Sequence, residues 1–220
     1  GDHHREAGLM LSGRDLRLVY RDAAQEVRAV DGVSVEVREG EFIGLLGPSG
    51  SGKSSLLYLL AGLKTPTDGE ASFDGRSYGA LTRDAMAALR RAKFGFVFQN
   101  HFLINHLTAL ENIRAAGSAD QGHLLEDLHV GHCRDKFPWQ MSAGEKQRVA
   151  IARAVVHGPK VVFADEPTAS LDRPNADLAV ECLRRVTRGG TLFVVTHDET
   201  ILRGATRVLR MNAGRLVDGG

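Results

Sequence analysis

Apolar and polar residues alternate strictly over 33–38, with Val33, Val35 and Val37 on one face and Ser34, Glu36 and Arg38 on the other. A period of two is that of a strand with one dry face, so VRAVDGVSVEVREGE at 27–41 and LRLVY at 16–20 predict a half-buried antiparallel ribbon ending at Gly40. FIGLL at 42–46 has no alternation and predicts a strand covered on both faces. A glycine-rich turn follows, and then SSLLYLLAGL, an apolar run expected to form a serine-capped helix.

Asp68-Gly69 and Asp74-Gly75 flank a short ribbon, EASF, after which helix formers fill 83–91 and FGFVF at 94–98 predicts another strand. Periodicity weakens between 105 and 140, the candidate for a small inserted lobe. It resumes in SAGEKQRVAIARAVV, where Val149, Ala152, Val155 and Val156 recur at helical core spacing. KVVFAD reads as a buried strand, 176–188 as a helix, TLFVVT at 191–196 as a buried strand and RVLRMNAGRLV as a terminal hairpin. Strands alternating with helices imply an α/β class with a mostly parallel sheet covered on both faces.

Composition narrows the class. Of 220 residues, 43% are hydrophobic and 25% charged, with a formal net charge of +1. These values exclude wholesale disorder and collagen-like repeats, and the near-neutral balance gives no electrostatic drive toward nucleic acid. The longest apolar runs fall well short of the 18 or more residues of a membrane-crossing helix. Two cysteines, Cys133 and Cys182, are too few for a disulfide scaffold and suggest a reducing compartment. No export signal is expected in the polar start, and residues 1–11, with His3 and His4, are expected to be a flexible N-terminus or an expression remnant.

The densest chemistry lies at Gly47-Pro48-Ser49-Gly50-Ser51-Gly52-Lys53-Ser54, a full match to GxxxxGK[ST] between a predicted strand and a predicted helix. Glycines let the backbone wrap a phosphate, successive N–H groups face the negative charge, and the helix start adds unpaired amides and its positive dipole end. Lys53 is placed to reach the β and γ phosphates and Ser54 to put its hydroxyl on Mg²⁺, while Ser55 is a first-turn residue with no direct metal role. Such a site needs a further carboxylate for the metal and a group that aligns water. Asp165 ends the strand KVVFAD, and Glu166 follows as the candidate general base. Taken alone, this acidic pair is equally a solvated turn.

Ser142-Ala143-Gly144-Glu145 has the S-x-x-E form of a capping box. It reads equally as a plain helix cap and as a turn whose open amides meet a phosphate. Gln99 and His197 follow buried strands, as ordinary polar exit residues or as γ-phosphate sensors. Tyr20 is either a core aromatic or a stacking platform for a base, and Trp139 is expected to pack within the small lobe. The histidines at 101, 106, 123, 129 and 132 show no compact metal-ligand pattern.

Together these residues resemble the nucleotide-binding subunit of ATP-binding cassette (ABC) transporters over nearly the whole chain. GPSGSGKS resembles the Walker A loop, VVFADEPTASLD the Walker B strand with its D-loop, MSAGEKQRVAIARA the family signature, Gln99 the Q-loop glutamine and His197 the switch histidine. FVFQNHFLINHLTALENI and FADEPTASLD are similar to the subgroup that serves lipoprotein release, macrolide-type export and cell division.

The resemblance implies a P-loop NTPase core of ABC type over 12–220, with an N-terminal antiparallel β subdomain and a shortened helical lobe over 100–141. It implies an ATPase, cleaving ATP with water to ADP and phosphate, that uses Mg²⁺ held by Ser54, Gln99 and Asp165. Two copies would close head to tail on ATP. Lys53, Gln99, Glu166 and His197 would act from one copy, while Ser142 and Gly144 of the other touch the γ phosphate. Tyr20 would stack on adenine, and Asp172 would be the D-loop acid organising the opposing site.

The implied partner is an integral membrane permease at the cytoplasmic face of the inner membrane, with export or extraction as the coupled work. The cell-division relative suggests an alternative, a regulatory cassette that signals through a membrane partner without moving a solute. Ala143 stands where the family shows the first glycine of its signature, and Glu145 where glutamine is common, so reduced or altered turnover is expected.

Overall fold

The computed structural model describes residues 8–21, 25–117 and 122–217. The chain divides into two compact units, one built from 1–90 with 191–220 and the other from 91–190.

The first unit contains the expected ribbon. β1 (Leu9–Arg21) pairs antiparallel with β2 (Glu26–Arg38) on one side and with β4 (Asp68–Phe73) on the other, and the short β5 (Arg76–Ser77) completes a four-stranded sheet. Val33, Val35 and Val37 are buried while Ser34, Glu36 and Arg38 are exposed, as the period of two requires. β1 starts at Leu9 rather than near residue 16, and Leu11 is fully buried, so residues 9–11 belong to the sheet.

β3 (Phe42–Leu46) lies between β8 (Thr191–Thr196) and β9 (Arg207–Asn212), parallel to both. β10 (Arg215–Val217) returns antiparallel to β9 through Ala213 and Gly214, both at positive φ, the geometry of a tight hairpin. The unbroken apolar run of β3 is explained by burial on both faces: Ile43 and Leu45 on one side and Gly44 and Leu46 on the other are all buried. Helix α1 (Lys53–Leu60) is buried at Leu56, Leu57, Leu59 and Leu60, and α2 (Arg83–Lys93) is amphipathic, burying Met86. The expected serine cap on α1 is absent. Its N-cap is Gly52 in a left-handed conformation, with no side-chain cap bond, because the helix already begins at Lys53 and places Ser54 and Ser55 inside its first turn.

In the second unit β6 (Phe94–Phe98) and β7 (Val161–Asp165) are parallel, with Phe98 opposite Asp165. Phe163 meets Phe94 edge-on, with centroids 5.3 Å apart, and stacks on Phe96 at 5.7 Å. The stretch 100–141 carries α3 (Ala109–Arg114), α4 (Gly122–Asp127) and two 3-10 turns, Gly131–Cys133 and Pro138–Gln140. α5 (Ala143–Val155) and α6 (Arg173–Val186) complete the unit.

Asn112, fully buried in α3, shapes the preceding loop: its Oδ1 accepts from the Ile104 amide at 2.7 Å, and its Nδ2 donates to the carbonyls of Ile104, Leu107 and Thr108. Trp139 does not pack inside the lobe. It is 73% exposed and stacks on Phe137, since it sits in the 3-10 turn whose buried member is Pro138. No helix among the described residues is long and apolar enough to cross a membrane.

Candidate active site

The glycine-rich loop starts where β3 ends. Gly52 sits at φ +100, and a β-carbon there would come within 2.0 Å of the Ala29 carbonyl oxygen, so both backbone conformation and close approach demand glycine. The Lys53 side chain is buried, and its ammonium donates to the Pro48 carbonyl at 2.9 Å, lying across the loop it follows. Ser51 Oγ is buried with no hydrogen-bond partner among the described residues. An orphaned hydroxyl beside a helix start without a side-chain cap suits an anion rich in acceptor oxygens.

Leu46 and Thr196 are Cα partners in adjacent parallel strands, so Gly47 and His197 leave the sheet side by side. His197 is exposed at that strand end. Tyr20, on β1, is 43% exposed; the Lys64 ammonium hydrogen-bonds its hydroxyl and lies 4.8 Å from its ring centroid. The first unit thus brings the phosphate loop, Ser54, Ser55 and His197 to the ends of β3 and β8, with Tyr20 on the antiparallel ribbon.

In the second unit, Gln99 and Glu166 follow the paired ends of β6 and β7. Asp165 is 8% exposed at the last position of β7. Glu166 adopts φ +47, a left-handed conformation costing a non-glycine residue of the order of 1 kcal/mol. Gln147, on α5 and buried, connects these two strand ends: its Nε2 donates to the Pro167 carbonyl at 2.6 Å and to the Phe98 carbonyl at 3.3 Å. Arg153, two turns further along α5, donates to the carbonyls of His101 and Phe102 and holds the chain just after Gln99.

The turn before α5 is a complete capping box. Ser142 Oγ accepts from the Glu145 amide at 3.2 Å, and Glu145 Oε2 accepts from the Ser142 amide at 2.7 Å. Ser142 and Ala143 are exposed whereas Gly144 is buried. α6 approaches closely at Gly144, where a β-carbon would lie 2.3 Å from Asn175 Oδ1.

Asn175 in turn donates to Asp172 from both its backbone amide and its Nδ2, making Asp172 the N-cap of α6. These bonds hold the Asp172 carboxyl below its ordinary range. The second unit therefore groups Gln99, Asp165 and Glu166 at one strand end, and links Gly144, next to Ser142, to Asp172 through Asn175.

Glu145 has a second partner, His132, whose Nε2 lies 2.6 Å from Oε1. This contact, followed by the Ser142 amide, lowers the carboxyl to about 2 against the opposing effect of burial. The buried Cys133 thiol faces the same carboxylate and is pushed up to about 11, first by desolvation and then by that negative charge.

Gln147, Arg153, Asn112 and Asn175 were not singled out by the sequence. Gln147 carried one usable signal, a polar residue amid the apolar positions of a buried helix.

A family model described as ABC transporter matches residues 30–169, more than half of the chain. The chain belongs to the ABC transporter family. This ABC cassette is 35% identical over 220 residues to an uncharacterized ABC transporter ATP-binding protein, MJ1508, of Methanocaldococcus jannaschii, covering 95% of the chain and 98% of that protein. It is 39% identical over 215 residues to the macrolide export ATP-binding/permease protein MacB of Syntrophobacter fumaroxidans, covering 91% of the chain but only 30% of that longer relative.

Among solved structures, it matches the ATP-binding cassette MJ0796 in a dimeric, post-hydrolysis state bound to ADP and Pi, with a TM-score of 0.87 and 32% identity over 95% of this chain and 97% of that one. A second dimeric structure of MJ0796, described as a bacterial ABC transporter cassette, matches with a TM-score of 0.86 and 33% identity, again over 95% and 97%. The P-loop ABC fold, ATP binding and ATPase class expected from the motifs are thereby shown for this chain.

Proposed function

We propose that this cassette hydrolyses Mg-ATP within a head-to-tail pair of copies and couples closure of that pair to export or extraction by a separate integral membrane permease. The observation that carries this reading is the signature turn: Ser142 and Ala143 are exposed on a rigid capped helix start, while the neighbouring Gly144 is occupied internally by Asn175. An exposed, preorganised helix N-terminus of this kind suits an anion brought by another molecule. The relatives agree in kind, since MJ0796 is dimeric and MacB combines ATP-binding and permease functions in its name.

In this reading the backbone of Gly47, Pro48, Ser49, Gly50, Ser51 and Gly52 cradles the phosphates, with Lys53 on the β and γ groups and Ser55 in the supporting first turn. Ser54, Gln99 and Asp165 offer a hydroxyl, an amide oxygen and a carboxylate, an all-oxygen set that fits Mg²⁺, which would neutralise charge on the phosphates. Glu166 orients and deprotonates water, and His197 senses the γ phosphate. Ser142 of the second copy completes the anion site, Gly144 keeps its helix start close-packed, and Asp172 orders the adjoining loop. Tyr20 stacks on the base. The cassette then works peripherally at the cytoplasmic face of the membrane.

Substituting Glu166→Gln is expected to leave ATP bound, stop phosphate release and accumulate a dimer on size-exclusion chromatography in Mg-ATP. Undiminished phosphate release would remove Glu166 from its role, and a monomer at saturating ATP would remove the composite site. Co-purification from native membranes should yield a permease. A partner that moves no solute or lipid when reconstituted would replace transport with signalling.

A further inference from the structure

We propose that His132, Cys133 and Glu145 form a binding site for a thiophilic divalent cation of the zinc class, linking the 3-10 turn Gly131–Cys133 to the first turn of α5. One ligand atom from each residue lies within 4.8 Å of the other two, which is the only such grouping of histidine, cysteine and acidic side chains found among the described residues. A tetrahedral zinc ion, with bonds of about 2.0–2.3 Å, places its donors roughly 3.3–3.8 Å apart. The imidazole and carboxylate, now 2.6 Å apart, must open by about 1 Å, and the sulfur must close by at most about 1.5 Å. Side-chain torsions alone span such shifts.

The surroundings are suited to the task. Backbone bonds from the Cys133 amide to the Val130 carbonyl and from the Lys136 amide to the Cys133 carbonyl fix the turn that carries the sulfur. Glu145 commits Oε2 to the Ser142 amide, which orients the carboxylate and leaves Oε1 for the ion. Thiolate and carboxylate together balance the charge of a divalent cation, whose own charge would offset the burial and the Glu145 carboxylate that otherwise hold the Cys133 thiol protonated. On binding, the thiol proton passes to solvent as the sulfur–metal bond forms. Cys133 is buried but His132 is exposed, so the ion has an entry path and water can fill its fourth position.

A soft sulfur with an imidazole selects zinc-class ions over Mg²⁺. Occupation of the site would clamp the helix start that carries Ser142.

The test is a Co²⁺ titration of the purified full chain in excess Mg²⁺, monitored in the near ultraviolet. The expected result is one thiolate-to-cobalt charge-transfer band, saturating at one ion per chain and abolished by equimolar Zn²⁺. The band should disappear in Cys133→Ser and persist in Cys182→Ser. His132→Ala, at an exposed position, should raise the Co²⁺ dissociation constant at least about tenfold. Cobalt uptake without a thiolate band, a band that follows Cys182, or unchanged affinity in His132→Ala would each overturn the proposal. The last measurement stands even if Cys133→Ser fails to fold.

Discussion

Gln147 donates its side-chain amide to the Pro167 carbonyl at 2.6 Å, and through the same nitrogen reaches the Phe98 carbonyl at 3.3 Å. One buried side chain on the signature helix thus holds the exits of two parallel strands, the ones that deliver Gln99 and Glu166.

Gln147→Ala leaves both carbonyls without that donor, which should cost about 1–3 kcal/mol in urea unfolding. Because the strand exits also lose their alignment, kcat for ATP hydrolysis should fall more than the KM for ATP rises. A stability loss with unchanged kcat would confine Gln147 to packing.

Gly144→Ala places a β-carbon 2.3 Å from Asn175 Oδ1 and forces Asn175 away from Asp172. Overpacking and loss of the Asn175 side-chain bond should destabilise the protein by about 1–3 kcal/mol. Combining it with Asn175→Gly removes the obstacle, so the double variant should be more stable than the sum of the single effects predicts. Strict additivity in denaturant melts would show that the close approach carries no strain.

Glu166 in a left-handed backbone gives a paired prediction. Glu166→Ala and Glu166→Gly both delete the carboxylate, yet only the glycine variant relieves the conformation at φ +47. Glu166→Gly should therefore be the more stable of the two by about 1 kcal/mol, with hydrolysis lost in both. Equal unfolding midpoints would mean that the backbone relaxes on substitution.

The Glu145 carboxyl is held at about 2, below the ordinary glutamate value of 4.5. A depressed folded value means that the unfolded chain takes up the proton first. The contribution is therefore complete above pH 4.5 and is lost as pH falls toward 2. Wild-type denaturation midpoints should fall more steeply across that window than those of Glu145→Gln. Parallel curves would count against the His132 contact in solution, where its exposure to solvent already weakens it.

The phosphate loop, Walker B strand and signature turn were legible because each is contiguous. The loop's φ requirements, the strand's apolar run and the cap's S-x-x-E spacing are local properties that the chain states in order. The ribbon at 33–38 was legible for the same reason, since alternation decides which face is dry. The helix cap at Gly52 was not legible, because a serine next to a helical run is the commoner local solution. The exposure of Trp139 was not legible, because size and apolarity favour burial whereas its direction from the 3-10 turn decides it.

The sequence by itself therefore determined the family, the α/β class and the identity of the phosphate-binding and acidic candidates, since those rest on spacing within single segments. Tertiary structure alone decided that Gln147 joins two strand ends, that Gly144 yields its space to Asn175 and so to Asp172, and that His132, Cys133 and Glu145 meet. Each of these depends on which way a side chain leaves its element and on how closely a distant segment approaches. No period or motif along the chain encodes those distances.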